Sequence, residues 1–203
     1  MASDEFRFER LRQAFLDFGY EQLTMSKLAQ LCGMTRRGLY NHFSNKDDAF
    51  RHLLRVGNVN ATREGIAAGR AALEAGGSVA DIMGEIMNVR YGEARRQLSS
   101  SPHALEINDQ AFRRAGDIMM ESAAVFQRQL TELLIELQAA GKLRLRPDID
   151  VEELTQLLAD GARGVNQARP PIAPEKLSGR YLSMCRAILH GSVDEPDQKN
   201  GLT

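Results

Sequence analysis

Apolar residues recur along this chain at spacings of three and four, as on amphipathic helices, and show no strand-like alternation. Phe8, Leu11, Phe15 and Phe18 give residues 5–18 one apolar face, and Leu28, Leu31 and Cys32 do the same for 25–32. Leu39 and Phe43 mark the inner side of a third helix that runs to His42. Phe50, Leu53 and Leu54 begin a long helix to Leu73, in which Gly57, Gly65 and Gly69 are expected to permit a bend. Gly76-Gly77 ends it, and Ser78 caps a helix over 79–98. A weakly patterned helix follows over 103–114. The next, over 117–140, is striped by Met119, Phe126, Leu130, Leu133 and Leu137 and stopped by Gly141. After a loop at 142–150, a helix over 151–168 carries Leu154, Leu157, Leu158, Gly161 and Val165 on one side. Pro170-Pro171 breaks it, and a final helix occupies 174–190. The expectation is an all-α protein.

The shortest helices carry the chemistry. Thr24 and Thr35 are good N-caps, and Gly33 stands between them where a left-handed, helix-ending residue is wanted. Two short helices around a Gly-containing turn make a helix-turn-helix. With 5–18 they form a three-helix unit whose expected core is Phe8, Leu11, Phe15, Leu28, Leu31, Leu39 and Phe43. At about 100° per residue, Arg37 and Asn41 lie opposite Leu39 and Phe43, flanked by Gly38 and Tyr40. Gly38 costs about 1 kcal/mol against Ala in a helix, which points to a surface that is closely approached. Residues 24–46 contain Lys27, Arg36, Arg37 and Lys46 and no Asp or Glu, a charge of +4 in a chain of −1 that leaves −5 elsewhere. A basic patch on a mildly acidic protein is the electrostatic footprint of a nucleic-acid reader. Arg37 and Asn41 are therefore assigned to base edges in a major groove, where Arg pairs with guanine and Asn with adenine.

Residues 19–50 resemble the DNA-binding domain of the TetR family of bacterial transcriptional regulators, over about a sixth of the chain. The matching positions are Gly19, Leu23-Thr24, Leu28-Ala29, Gly33, Thr35, Leu39-Tyr40, His42-Phe43, Asn45-Lys46 and the acidic pair Asp47-Asp48. Cys32, Met34 and Phe50 replace the usual Ala, Val or Ile, and Leu, all apolar exchanges. Arg37 is larger than the Gly or Pro often found there, which bears on sequence choice and not on fold. The resemblance implies further base contacts from Thr35 and Arg36 and phosphate contacts from Thr24, Ser26, Tyr40 and Lys46. His42, beside that face, is assigned to packing or to a phosphate. The resemblance also implies a homodimer held by the helices over 151–168 and 174–190, on a roughly palindromic operator of double-stranded DNA. It implies a repressor released by a small-molecule effector, through a pendulum-like shift of the helix that begins at Lys46.

The expected domains are a helix-turn-helix DNA-binding domain over 1–50, a helical effector-binding and dimerisation domain over 51–191, and a polar tail over 192–203 predicted to be disordered. The second domain is larger than a dimer clamp needs. Met83, Met87, Tyr91, His103, Asn108, Phe112, Met119 and Phe126 mix apolar and isolated polar groups and are the candidate effector lining. The last helix is apolar on two sides, with Leu177, Tyr181, Met184, Cys185 and Ile188 on one and Leu182 and Leu189 towards the other. Gly161 and Gly164 would admit a close neighbour. These residues leave open whether the second side meets the chain's own core or a second subunit; the family resemblance favours the subunit.

Composition narrows the remaining classes. A hydrophobic share of 43% with 26% charge suits a packed core. No segment approaches the roughly 18 uncharged apolar residues of a membrane span, and the start Met-Ala-Ser-Asp-Glu-Phe does not read as a signal peptide, so a cytoplasmic location is expected. Cys32 and Cys185 each sit in an apolar stripe, as buried reduced thiols do. His42, His52, His103 and His190 lack metal-ligand spacing, and no nucleophile elbow or phosphate-binding glycine loop occurs. Asp47-Asp48 and Glu152-Glu153 begin helices, where dipole compensation explains them. No cofactor, metal or enzymatic activity is expected. A helical adaptor with an acidic partner and a small helical enzyme are the alternatives. Operator, effector and the sign of regulation are not written in the residues.

Overall fold

Capping side chains start five of the helices in the computed structural model, which describes residues 2–193, with side chains from Arg7 onward. Helix α1 (Ala2–Phe18) ends at Gly19, whose φ of +66° suits glycine and whose N–H bonds Phe15 O at 2.9 Å. Helix α2 (Met25–Leu31) starts from Thr24 and α3 (Arg36–Tyr40) from Thr35. Helix α3 stops two residues short of the expected His42, where the His42 N–H turns onto Leu39 O, three residues back, at 3.0 Å. Helix α4 (Lys46–Glu74) is capped by Asn45, whose side chain accepts the Asp48 N–H at 2.8 Å.

Ser78 and Asp81 form a capping box at the start of α5 (Val79–Met87). The single helix expected over 79–98 is instead three segments: α5, a π-helical turn at Asn88–Gly92, and α6 (Glu93–Ser99). Helix α7 (Ala104–Ala139) joins two expected helices, yet Ala115 (φ −138°, ψ 29°) is non-helical in the gap that the apolar pattern left between 114 and 117. Asp150 caps α8 (Val151–Asn166), and a 3₁₀ turn at Pro174–Lys176 leads into α9 (Leu177–Ser192). Among the described residues there is no strand, only an isolated bridge between Leu145 and Val193. That bridge and the end of α9 engage Ser192 and Val193, the first two residues of the expected tail; 194–203 lie outside the described residues.

The chain divides into two units, Met1–Thr62 with Ala94–Ala124, and Arg63–Glu93 with Val125–Thr203. This differs from the expected boundary after residue 50. The reason is packing: Ile107 and Ala111 of α7 are buried in the same core as Leu11, Phe15, Leu28, Leu39 and Phe50. That core also takes Tyr20, Leu23, Ala29, Ala49 and Leu53, whereas the expected members Phe8, Leu31 and Phe43 are only partly buried.

In the second unit, Ile82, Met83, Ile86, Phe126, Leu130, Leu154, Tyr181 and Cys185 form the core. Helix α9 touches other helices of the chain on both of its apolar sides, with Leu182, Met184 and Ile188 half-buried. Leu182 packs on Gly84 of α5, where an added Cβ would lie 3.0 Å from Leu182 Cδ1. Met184 and Ile188 pack on Gly161 of α8, where it would lie 2.7 Å from Met184 Sδ. Helix α4 is continuous through its glycines. A Cβ at Gly65 would meet Ile86 O at 3.1 Å, and one at Gly69 would overlap the Ile86 side chain, so these two glycines admit the close packing of α5.

Candidate nucleic-acid interface

The reading face is built by two threonine caps and one leucine. Thr24 Oγ1 accepts the Lys27 N–H at 3.2 Å, and Thr35 Oγ1 accepts the Gly38 N–H at 3.0 Å. A hydroxyl that accepts in this way keeps its own proton to donate, so Thr24 and Thr35 can still serve an outside oxygen. Between the caps, Gly33 (φ +66°) turns the chain and Met34 N–H closes onto Ala29 O at 2.8 Å. Leu28 and Leu39 are fully buried and pin α2 and α3 to the core. With Leu39 inside, Thr35, Arg36, Arg37, Asn41 and His42 are exposed, and Tyr40 is 43% exposed. Thr24 and Ser26 are exposed on α2 and its cap. Arg36 lies over the Tyr40 ring at 5.7 Å. Gly38 is tight inwards: a Cβ there would press on the Thr35 capping oxygen at 3.1 Å.

Lys46 is held by the turn between α1 and α2. Its Nζ donates to Tyr20 O at 2.8 Å and Glu21 O at 3.4 Å and sits 4.3 Å from the Tyr20 ring centre. Burial lowers its pKa, with Glu21 opposing. Tyr20 packs with Phe15 and Phe50 (centroids 6.2 and 5.1 Å), and burial raises its phenol pKa against the lowering effect of Arg114.

The eight candidate effector residues fall four and four. Met83, Met87 and Phe126 are wholly buried in the second core. Tyr91 stands edge-on to Phe126 at 5.8 Å, its hydroxyl pKa raised by burial. His103, Asn108, Phe112 and Met119 belong to the first unit. There His103 Nδ1 lies 3.3 Å from Glu106 Oε2, Met119 Sδ accepts from Asn58 at 3.5 Å, and Phe112 is 56% exposed.

Arg90 was not anticipated. It is buried in the π-helical turn, 5.0 Å from the Tyr91 ring and 5.4 Å from that of Phe126, and desolvation lowers its pKa. Apolar periodicity gives no sign of a buried cation; only the turn's departure from α-helical register brings it inwards. Cys32 and Cys185 are buried free thiols, and burial pushes Cys185 up to about 12. Among the described residues no group of three or more His, Cys, Asp or Glu is placed to hold a metal ion, and no helix is long and apolar enough to cross a membrane.

A capped helix-turn-helix with a cationic outer face, joined to a second helical unit, defines a class of DNA-reading regulators. Residues 9–53 match the model of the bacterial regulatory proteins, tetR family. A helix-turn-helix-type transcriptional repressor of Mycobacterium tuberculosis is 36% identical over 59 residues, a match that spans 27% of this chain and 32% of that relative. The fold is shared along almost the whole chain. A TetR-family regulator from Mesorhizobium loti superposes with a TM-score of 0.65 at 15% identity, covering 95% of this chain and 98% of that one. SmeT, the repressor of a multidrug efflux pump in Stenotrophomonas maltophilia, does so at 0.65 and 16%, covering 98% and 94%; it is also solved as a triclosan complex. Residues 9–53 are thus similar to the DNA-binding segment of the tetR family, and the chain as a whole has the fold of solved TetR-family regulators.

Proposed function

We propose that this protein is a sequence-specific DNA-binding transcriptional regulator, a repressor that acts by binding and not by catalysis. The observation that carries this is the outer face of α3, where Arg37 and Asn41 are exposed while Leu39 anchors the opposite side. Among the described residues neither Arg36 nor Arg37 is paired with a carboxylate, so both cations are available to DNA. Arg37 and Asn41, with Thr35 and Arg36 beside them, read bases; Thr24, Ser26, Tyr40 and His42 anchor phosphates. Two copies joined through α8 and α9 present two such faces to a roughly palindromic site. A small molecule bound in the helical unit lowers DNA affinity; the triclosan complex of SmeT, a protein of the same fold, supports this part. A coupling of about 1–3 kcal/mol lowers affinity roughly 5- to 150-fold, and operator DNA weakens effector binding by the same factor.

The test is titration of labelled duplex at several salt concentrations. The proposal predicts that log K falls linearly with log salt and that a selected duplex outcompetes random duplex by at least about a thousandfold. Equal competition by both duplexes would refute sequence-specific reading.

A further inference from the structure

Two ion pairs cross between α4 and α7 in opposite senses. On α4, Asp47 and Arg51 stand one turn apart; on α7, Arg114 and Asp117 flank the break at Ala115. Arg114 Nη1 lies 3.3 Å from Asp47 Oδ1. Arg51 forks onto Asp117, with Nη1–Oδ1 at 2.9 Å and Nη2–Oδ2 at 2.6 Å. In an unbroken helix the carbonyl of 114 and the amide of 118 would bond each other. Here Arg51 Nη1 donates to Arg114 O, so the carbonyl at the break is closed from α4. The Arg51 hydrogen bonds hold the Asp117 carboxyl down at about 2. The Arg114 guanidinium also lies 4.2 Å from the Tyr20 ring, whose hydroxyl reaches Asp47 at 3.4 Å. The α1–α2 turn is thereby tied into the same cluster.

Asp117 is 64% and Asp47 40% exposed, and pairs so open to water add little to stability. What a bidentate pair does fix is orientation. Only residues 41–45 separate α3 from α4, so whatever fixes the first turns of α4 fixes α3. We propose that Asp47, Arg51, Arg114 and Asp117 form a crossed clamp that positions α3, making the kinked segment of α7 part of the DNA-reading apparatus. The inference rests on the DNA-reading function proposed above only for its consequence, not for its geometry.

The test compares Arg51→Asp, Asp117→Arg, the combined charge swap, and the milder Asp117→Asn by hydrogen exchange of the free protein. The single variants should speed amide exchange over residues 35–43 about tenfold at nearly unchanged Tm, and the swap should recover most of that protection. Duplex affinity should fall in step with exchange while its salt slope stays constant, since none of the four is a phosphate contact. Unchanged exchange in Asp117→Asn and both other single variants would overturn the clamp, as would a swap no better than its parents. Should wild type prefer no DNA sequence, the regulator reading fails, while exchange still decides the clamp.

Discussion

Arg37 and Lys46 have the same charge and opposite situations. Arg37 is exposed on a face whose back is held by Leu39, so its loss is expected to be felt by one base pair per half-site and not by the fold. Lys46 gives its ammonium to two carbonyls of the α1–α2 turn. Lys46→Met should therefore lower Tm and leave the salt slope of DNA binding unchanged; a slope smaller by about one unit would make Lys46 a phosphate ligand after all. Asp117 gives a pH signature. Its carboxyl falls from an ordinary 3.8 to about 2 in the fold, so its stabilising contribution is complete above 3.8 and lost as pH drops through about 2. The difference in amide exchange over residues 35–43 between wild type and Asp117→Asn should be constant at neutral pH and shrink through that acid window. A difference that instead varied between pH 6 and 8 would place its cause elsewhere. Thr24, Gly33 and Thr35 were legible in the sequence because a cap or a turn answers to residues within three or four positions. The engagement of Lys46 was not, because its acceptors are carbonyls 25 and 26 residues away.

At the scale of elements, apolar periodicity located the helices but gave no sign of what Gly65 and Gly69 pack against. Gly65 lies against Ile86 O, a backbone atom that cannot swing aside. Gly65→Ala is accordingly expected to lose about 1–3 kcal/mol despite its better helix propensity. Gly179→Ala on α9, where nothing lies within 4 Å, should gain up to about 1 kcal/mol within the single chain. Chemical denaturation of the two variants decides, and a Gly65→Ala protein as stable as wild type would show that α4 and α5 have room to part. The π-helical turn at Asn88–Gly92 escaped the pattern because one extra residue per turn leaves the apolar spacing on either side intact. The break at Ala115 was partly visible, as the gap in apolar spacing between 114 and 117. Its closure by Arg51 was not, being a contact between residues 63 to 66 positions apart.

For the whole molecule, α9 meets α5 through Leu182 and α8 through Met184 and Ile188, and all three are left half-buried in the single chain. What α8 still offers outwards is Leu157, 40% exposed, and Gly164, with nothing within 4 Å. If α8 and α9 join two copies, Leu157→Glu with Gly164→Arg should yield a monomer of unchanged helicity by light scattering and circular dichroism. A dimer that survives both changes would move the interface elsewhere. The division of the chain was the least legible property, because periodicity shows which face of α7 is buried but not that Ile107 and Ala111 are buried in the N-terminal core. The central claim, that α3 reads DNA sequence through Arg37, is tested most directly by selection from a randomised duplex library with wild type and Arg37→Ala side by side. Wild type should enrich a two-fold symmetric site, and Arg37→Ala should enrich the same site with preference lost at one base position in each half. Identical profiles from the two proteins, or no enriched site from wild type, would contradict it.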